Sequence, residues 1–201
     1  MPAYGKAVLE TFDGSVGWPE LRRRFADRLP ESTLTQLDEA VAFAVERHGD
    51  QRRPAGEPYV EHLLEALQVL VDAIGVRDPD PLRAAVLHDV VEDTPTTLDE
   101  VRERFGDRVA ELVDWVTKPD GTERTAYLAR LREAPADALD VKLADRLSNV
   151  QRLRTHPRSE KRASYYRETV ASIVPLATAR PWFADWYAQW QRDHADLAGE
   201  G

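Results

Sequence analysis

The eight residues from Leu87 to Thr94 read LHDVVEDT, one histidine and three carboxylates set among Leu87, Val90 and Val91. The segment is apolar enough to be buried. An isolated buried charge costs several kcal/mol, so buried charges are expected to be paired or to coordinate a metal. If the segment is helical, side chains four apart stack on one face. His88 then lies beside Glu92 and Asp89 beside Asp93, a two-by-two polar patch, while Leu87, Val90 and Val91 face neighbouring helices. Adjacent His88 and Asp89 can offer one imidazole nitrogen and one carboxylate oxygen to a single divalent ion. Glu92 and Asp93, one turn later, would reach a water on that ion rather than the ion itself. Taken alone, a His–Asp pair reads equally well as two solvated side chains.

Two further segments bear on the choice. EPYVEHLLEAL (57–67) sets His62 in the first turns of a helix, where the positive end of the macrodipole favours neutral over protonated imidazole. Neutral imidazole is the form that binds metal. VKLADRLSNV (141–150) sets Asp145 in a well-patterned helix, with Lys142 three residues before it and Asn149 one turn after. The competing readings are an ion pair of Asp145 with Arg146 or Lys142, and a hydrogen-bonded core role for His62. As ligands, His62, His88, Asp89 and Asp145 form a nitrogen and oxygen set from three helices. Such a set suits Mn²⁺, Mg²⁺ or Fe²⁺ better than Zn²⁺.

The elements that must position these residues are helices throughout. A stripe of Leu34, Leu37, Val41, Ala44 and Val45 predicts a helix capped at Ser32 or Thr33, with Thr33 and Gln36 resembling a capping box. Glycine and proline make 49–58 a loop. Further helices are predicted over about 58–74, 80–94, 98–105, 107–117, 123–133, 136–154, 159–180 and 181–197. No alternating strand pattern is present, so the fold class is all-α. Trp18, Leu21, Phe25 and Leu29 suggest that residues 1–31 form a docked helical appendage, with a disordered beginning, to a domain spanning 32–201 and ending in two helices. Trp182, Trp186 and Trp190, spaced four apart, read either as a core-facing stripe or as a surface for self-association.

The chain has 201 residues, 42% hydrophobic, with a formal charge of −9 and no cysteine. Its acidity argues against a general nucleic-acid or anionic-membrane surface. No run of about 18 apolar residues is present, nor a secretory leader at the start. A cytoplasmic protein is the expectation.

FAVERHGDQRRPAGEPYVEH, AAVLHDVVEDTPTTLDEVRERFGDRVAELVDWVTK and VKLADRLSNVQRL together resemble the HD hydrolase domain of RelA/SpoT homologues over roughly residues 36–155. The resemblance implies an all-α metal-dependent phosphohydrolase with one Mn²⁺ that removes the 3′-pyrophosphate of guanosine tetra- and pentaphosphate. It implies His62, His88, Asp89 and Asp145 as metal ligands, with Glu92 and Asp93 positioning and deprotonating the attacking water. Arg53 would contact the nucleotide and Asn149 would line its pocket. Lys142 and Arg146, with Arg52, would supply positive charge at the mouth, whereas Lys118 reads as a solvated lysine. His48 would pack beneath the 49–58 loop, and His156 and His194 would be surface residues.

Some positions depart from the pattern. Leu63 follows His62 where proline is usual, the loop after Arg53 is about one residue longer, Ser148 replaces an aromatic residue, and Arg152 replaces a small polar one. Fewer than 50 residues follow QRL, so a stand-alone hydrolase is expected. Two other functions remain compatible: an HD phosphohydrolase acting on NADPH 2′-phosphate or another nucleotide, and an alarmone-binding or antitoxin-like module. Pure binding gives Glu92 and Asp93 no task.

Overall fold

A computed structural model of the protein describes residues 9–199. The first eight residues of the expected appendage lie outside that range. Among the described residues there is no strand, only one isolated bridge between Arg52 and Pro58 that closes the 49–58 loop. The all-α expectation holds.

The central helix is α9 (Ala136–Val150), which packs against α3 (Tyr59–Gln68), α4 (Pro79–Leu87) and α7 (Asp107–Val116). Leu143, Leu147 and Val150 on α9 are fully buried, as are Leu63, Leu64 and Leu67 on α3 and Val86 and Leu87 on α4, apart from a trace at Leu64. A long helix, α2 (Glu31–His48), covers α4. It begins immediately after Pro30, not at the expected Ser32 or Thr33 cap: Pro30 holds φ −66° and ψ 152°, and the chain turns helical at the next residue. Thr33 is buried inside the first turn, so no Thr33–Gln36 box forms. A side-chain cap does form at Thr97, whose Oγ1 accepts from Glu100 N at 3.2 Å at the start of α6 (Leu98–Phe105), a helix that ends where Gly106 adopts φ +95°.

The expected helices over 80–94 and 159–180 are not continuous. After Leu87 the chain breaks at His88 and Asp89, and resumes only for Val90–Asp93 (α5). Asp89 sits at φ −103° and ψ −4°, in the sparsely populated bridge region where functional residues recur. His88 Nδ1 takes the Ala85 carbonyl oxygen at 2.8 Å, giving the end of α4 a side-chain partner in place of a continued ladder. The 159–180 segment divides into α10 (Ser159–Glu168), a π-helical turn (Thr169–Ile173) and a short helix at Val174–Ala177 (α11). Pro175 explains this break, since it has no N–H to continue the ladder.

Within the N-terminal segment, the described residues include a helix at Trp18–Phe25 (α1), whose Leu21 and Phe25 are fully buried. Between α7 and α9 lies α8 (Arg124–Arg130), and the last long helix is α12 (Pro181–Asp193). The tryptophan stripe of α12 faces the chain's own core: Trp186 and Trp190 are buried, and their indole N–H groups donate to Glu10 O (2.8 Å) and Val150 O (2.9 Å). His194 is not a surface residue. It is buried, stacked on Trp190, with Nδ1 2.9 Å from the Trp190 carbonyl oxygen.

Candidate metal centre

Four side chains from α3, the α4–α5 break and α9 converge on one point. His62 Nε2 and His88 Nε2 are 3.0 Å apart. Asp145 Oδ1 lies 3.2 Å from His62 Nε2 and 3.6 Å from His88 Nε2. Asp89 Oδ2 lies 3.1 Å from His88 Nε2 and 3.4 Å from His62 Nε2. The ligand atoms of His62, His88 and Asp145 all lie within 4.8 Å of one another. Both imidazoles are buried, at 2% and 1% exposure. The break at His88–Asp89 relaxes the offset of about 100° between consecutive residues of a continuous helix, and both side chains face one centre.

The outer nitrogens decide what the centre can hold. His88 Nδ1 must donate, because its partner is the Ala85 carbonyl. His62 Nδ1 is 2.7 Å from Ser148 Oγ, and that hydroxyl donates to Glu65 Oε2 at 2.5 Å. Ser148 has therefore spent its proton and accepts from His62. In the neutral form both rings carry hydrogen on Nδ1 and turn a lone pair on Nε2 toward the other ring. Two lone pairs at 3.0 Å repel unless a proton or a cation lies between them. Two carboxylates beside them favour a cation, and the mixed nitrogen and oxygen set fits a divalent one. The residues present fit the metal that the fold implies.

Without a cation the same contacts perturb titration. Burial pushes the His88 pKa down, but Asp89 and Asp145 override it and hold it well above the usual imidazole value. Burial pushes Asp89 up, and His88 and His62 pull it well below the usual carboxylate range. Asp145 is likewise lowered against its burial, chiefly by Lys142, whose Nζ is 2.7 Å from Asp145 Oδ2. Lys142 in turn is raised: burial opposes its charge, but Asp145 more than compensates.

The two further carboxylates lie on α5 and are exposed. Glu92 Oε2 accepts from Lys118 N at 3.0 Å. Asp93 Oδ2 is 2.6 Å from Tyr59 Oη, which also lies 2.7 Å from Asp89 Oδ2. Both carboxylates line a cleft of about 200 Å³ that also exposes Asp89, Asp145, Lys142 and Asn149.

Of the residues expected to bind substrate, Asn149 donates to Asp145 Oδ1 at 2.7 Å and Lys142 is the ion-pair partner just described. Among the described residues the Arg53 guanidinium makes only long contacts, to Glu65 Oε2 (3.3 Å), Ser148 O (3.3 Å) and Asn149 Oδ1 (3.4 Å). It lines a hollow of about 190 Å³ with Pro54, Tyr59, His62, Asn149 and His156. Arg146 is buried and held internally, by Glu168 Oε1 at 2.5 Å and Thr169 Oγ1 at 2.8 Å. His48 packs as expected: it stacks on Tyr59, with Nδ1 2.7 Å from Gln51 Oε1.

Three residues of the centre escaped the sequence reading. Tyr59 stands three positions before His62, hence on the same helical face, and that spacing was the available signal. Glu65 lies three positions after His62 and is 2% exposed. It also accepts from Arg152 at 2.6 Å. Ser148 was visible only as a departure from an aromatic pattern.

Residues 40–182 match the HD domain family. The chain is 38% identical over 171 residues to a guanosine-3′,5′-bis(diphosphate) 3′-pyrophosphohydrolase of Aquifex aeolicus, covering 82% of this chain but spanning only 24% of that longer relative. It is 40% identical over 152 residues to the human guanosine-3′,5′-bis(diphosphate) 3′-pyrophosphohydrolase, covering 71% of this chain and 85% of the human protein. A solved structure of a metazoan orthologue of SpoT, described as hydrolysing ppGpp, superposes with a TM-score of 0.70 at 28% identity, over 82% of this chain and 96% of the other.

Proposed function

Since the chain belongs to the HD domain family, we propose that it is a metal-dependent hydrolase that removes the 3′-pyrophosphate of guanosine tetra- and pentaphosphate. The observation that carries the proposal is the pair of buried imidazole nitrogens 3.0 Å apart, flanked by two buried or half-buried aspartates. The activity of the human relative, 85% of whose length the chain covers, supplies the substrate class. The hydrolase unit in this proposal is 32–201, with the described part of the 1–31 appendage docked on it through Leu21 and Phe25.

His62, His88, Asp89 and Asp145 would hold one divalent ion, which we propose is Mn²⁺. When bound, such an ion supplies Lewis acidity and lowers the pKa of a coordinated water. The chain's own groups do the rest. Ser148 and Glu65 hold the His62 ring with Nε2 inward. Lys142 and Asn149 each take one oxygen or edge of Asp145 and fix its orientation. Glu92 and Asp93 are the proton acceptors at the cleft, with Tyr59 Oη orienting Asp93 against Asp89. Arg53, poorly satisfied by its present partners, is free to turn toward a phosphate or stack on a base. The cysteine-free sequence accords with a reducing, cytoplasmic site of action.

The test is a rate panel with the metal-loaded protein on ppGpp, pppGpp, pGpp, NADPH and 5′-nucleotides. Turnover of the 3′-diphosphorylated nucleotides alone is expected. Preference for NADPH would transfer the same centre to a different substrate, and binding without turnover would favour an alarmone-binding module.

A further inference from the structure

The metal-centre cleft does not end at the carboxylates. It is lined as well by Arg124 of α8 and Tyr165 of α10. Both side chains also line an adjoining groove of about 310 Å³, together with Lys161, Ser164 and Glu168. On α10 these four residues stand at positions i, i+3, i+4 and i+7, which places them on one helical face. Tyr165 in addition borders the hollow lined by Arg53 and Asn149. One side chain thus adjoins all three hollows.

Arg124 is anchored, not loose. Its Nε and Nη2 both contact Glu168, Nη2 at 2.8 Å from Oε1. Glu168 also takes Arg146 Nη2 at 2.5 Å, so one carboxylate faces two guanidinium groups and a net positive charge remains. Arg146 is buried, whereas the Arg124 side chain is 51% exposed. None of the described hydrogen bonds uses Arg124 Nη1. A guanidinium held by one face and exposed on the other is prepared for a second anion, and holding it costs less entropy on binding than ordering a mobile side chain.

We propose that Arg124 and Lys161, with Tyr165 between the hollows, form a second anion subsite that binds the phosphate chain at the other end of the substrate from the one cleaved. This rests on the hydrolase reading above and deepens it. The ligand class is a nucleoside carrying phosphate groups at two positions, one group at the metal centre and the other over α10. Glu168 is a positioning residue: it touches no ligand and fixes the reach of Arg124. The subsite makes the length and charge of the non-reacting phosphate chain a determinant of affinity.

The experiment compares two substrates that share the reacting 3′-diphosphate, one with a 5′-diphosphate and one with a 5′-hydroxyl, on the metal-loaded full chain. For the parent, KM should be about tenfold lower or better for the 5′-diphosphate, the size expected of one charge-assisted contact set. In Arg124→Gln and in Lys161→Gln this ratio should fall toward about twofold. Lys161 is exposed, so its variant guards against a folding defect at Arg124. A parent ratio near one, or a parent ratio retained in both variants, overturns the subsite. If the parent turns over neither nucleotide, the hydrolase reading is what fails. The same ratio is then read by equilibrium binding of the two nucleotides, with the same two outcomes deciding the subsite.

Discussion

Replacing Ser148 with alanine removes one oxygen atom behind the metal centre and leaves every proposed ligand in place. That oxygen accepts from His62 Nδ1 at 2.7 Å and donates to Glu65 Oε2 at 2.5 Å. In the variant Glu65 keeps Arg152 and Arg53, but the Nδ1 hydrogen of a ring that is 2% exposed has no partner. The metal-free protein can escape this by moving the proton to Nε2 or turning the ring. The metal-bound protein cannot, because Nε2 is then committed to the ion. The unpaired donor costs about 1–3 kcal/mol, and at about 1.4 kcal/mol per tenfold that corresponds to roughly five- to hundredfold in metal affinity. Losses of about 10- to 100-fold are typical for outer partners of metal-bound histidines. Calorimetric titration of Mn²⁺ into parent and Ser148→Ala proteins reads the difference directly. An affinity within twofold of the parent would show that Ser148 does not orient His62, and the tautomer assignment would fall with it.

Other consequences follow for pH, turnover and folding. His88 is raised above the ordinary imidazole value of 6.5, so its contribution to metal-free stability is present below that pH and is lost as pH rises through the higher folded value. Asp89 and Asp145 are depressed below 3.8, so theirs is present above that pH and is lost as pH falls through the lower folded values. The centre should therefore stabilise the metal-free protein most between pH 3.8 and 6.5, and metal uptake at pH 7 should release a proton from His88. Titrations in buffers of different ionisation enthalpy measure that proton, and none released would contradict the assignment. Glu92→Gln and Asp93→Asn should retain metal while kcat falls by about 10²-fold or more in at least one of them, as for loss of a general base; near-parental rates in both would require another base. Trp190→Ala should destabilise by about 3–5 kcal/mol, the usual range for a large aromatic removed from a core, since Trp190 is fully buried. An unaltered melting temperature would revive the self-association role for α12.

The residues that converge at the candidate centre were legible because their types and order are a local pattern: HDVVED and VKLADR place the acids, and EPYVEH places His62. The helical content was legible for a similar reason, since the apolar periodicity of 107–117 depends on neighbours within one turn. The break at His88–Asp89 was not. Four-residue arithmetic presumes a regular helix, and the bond that ends this one runs from the His88 side chain to Ala85. Ser148 and Glu65 were illegible for another reason, being 83 positions apart in sequence and joined only when α3 packs on α9. Arg146 lines the cleft, as its charge suggested, but its burial and its pairing with Glu168 on α10 depend on a contact that no local pattern shows. The burial of His194 likewise depends on Trp190 beneath it.

The central claim is cleavage of the 3′-pyrophosphate by this centre, and phosphorus NMR of one reaction tests it most directly. Metal-loaded protein is mixed with ppGpp and the products are followed with and without chelator. Pyrophosphate and guanosine 5′-diphosphate should appear in equal amounts, and neither should form in the chelated sample or with Asp145→Ala. Release of inorganic phosphate in place of pyrophosphate, or equal turnover after chelation, would contradict the account.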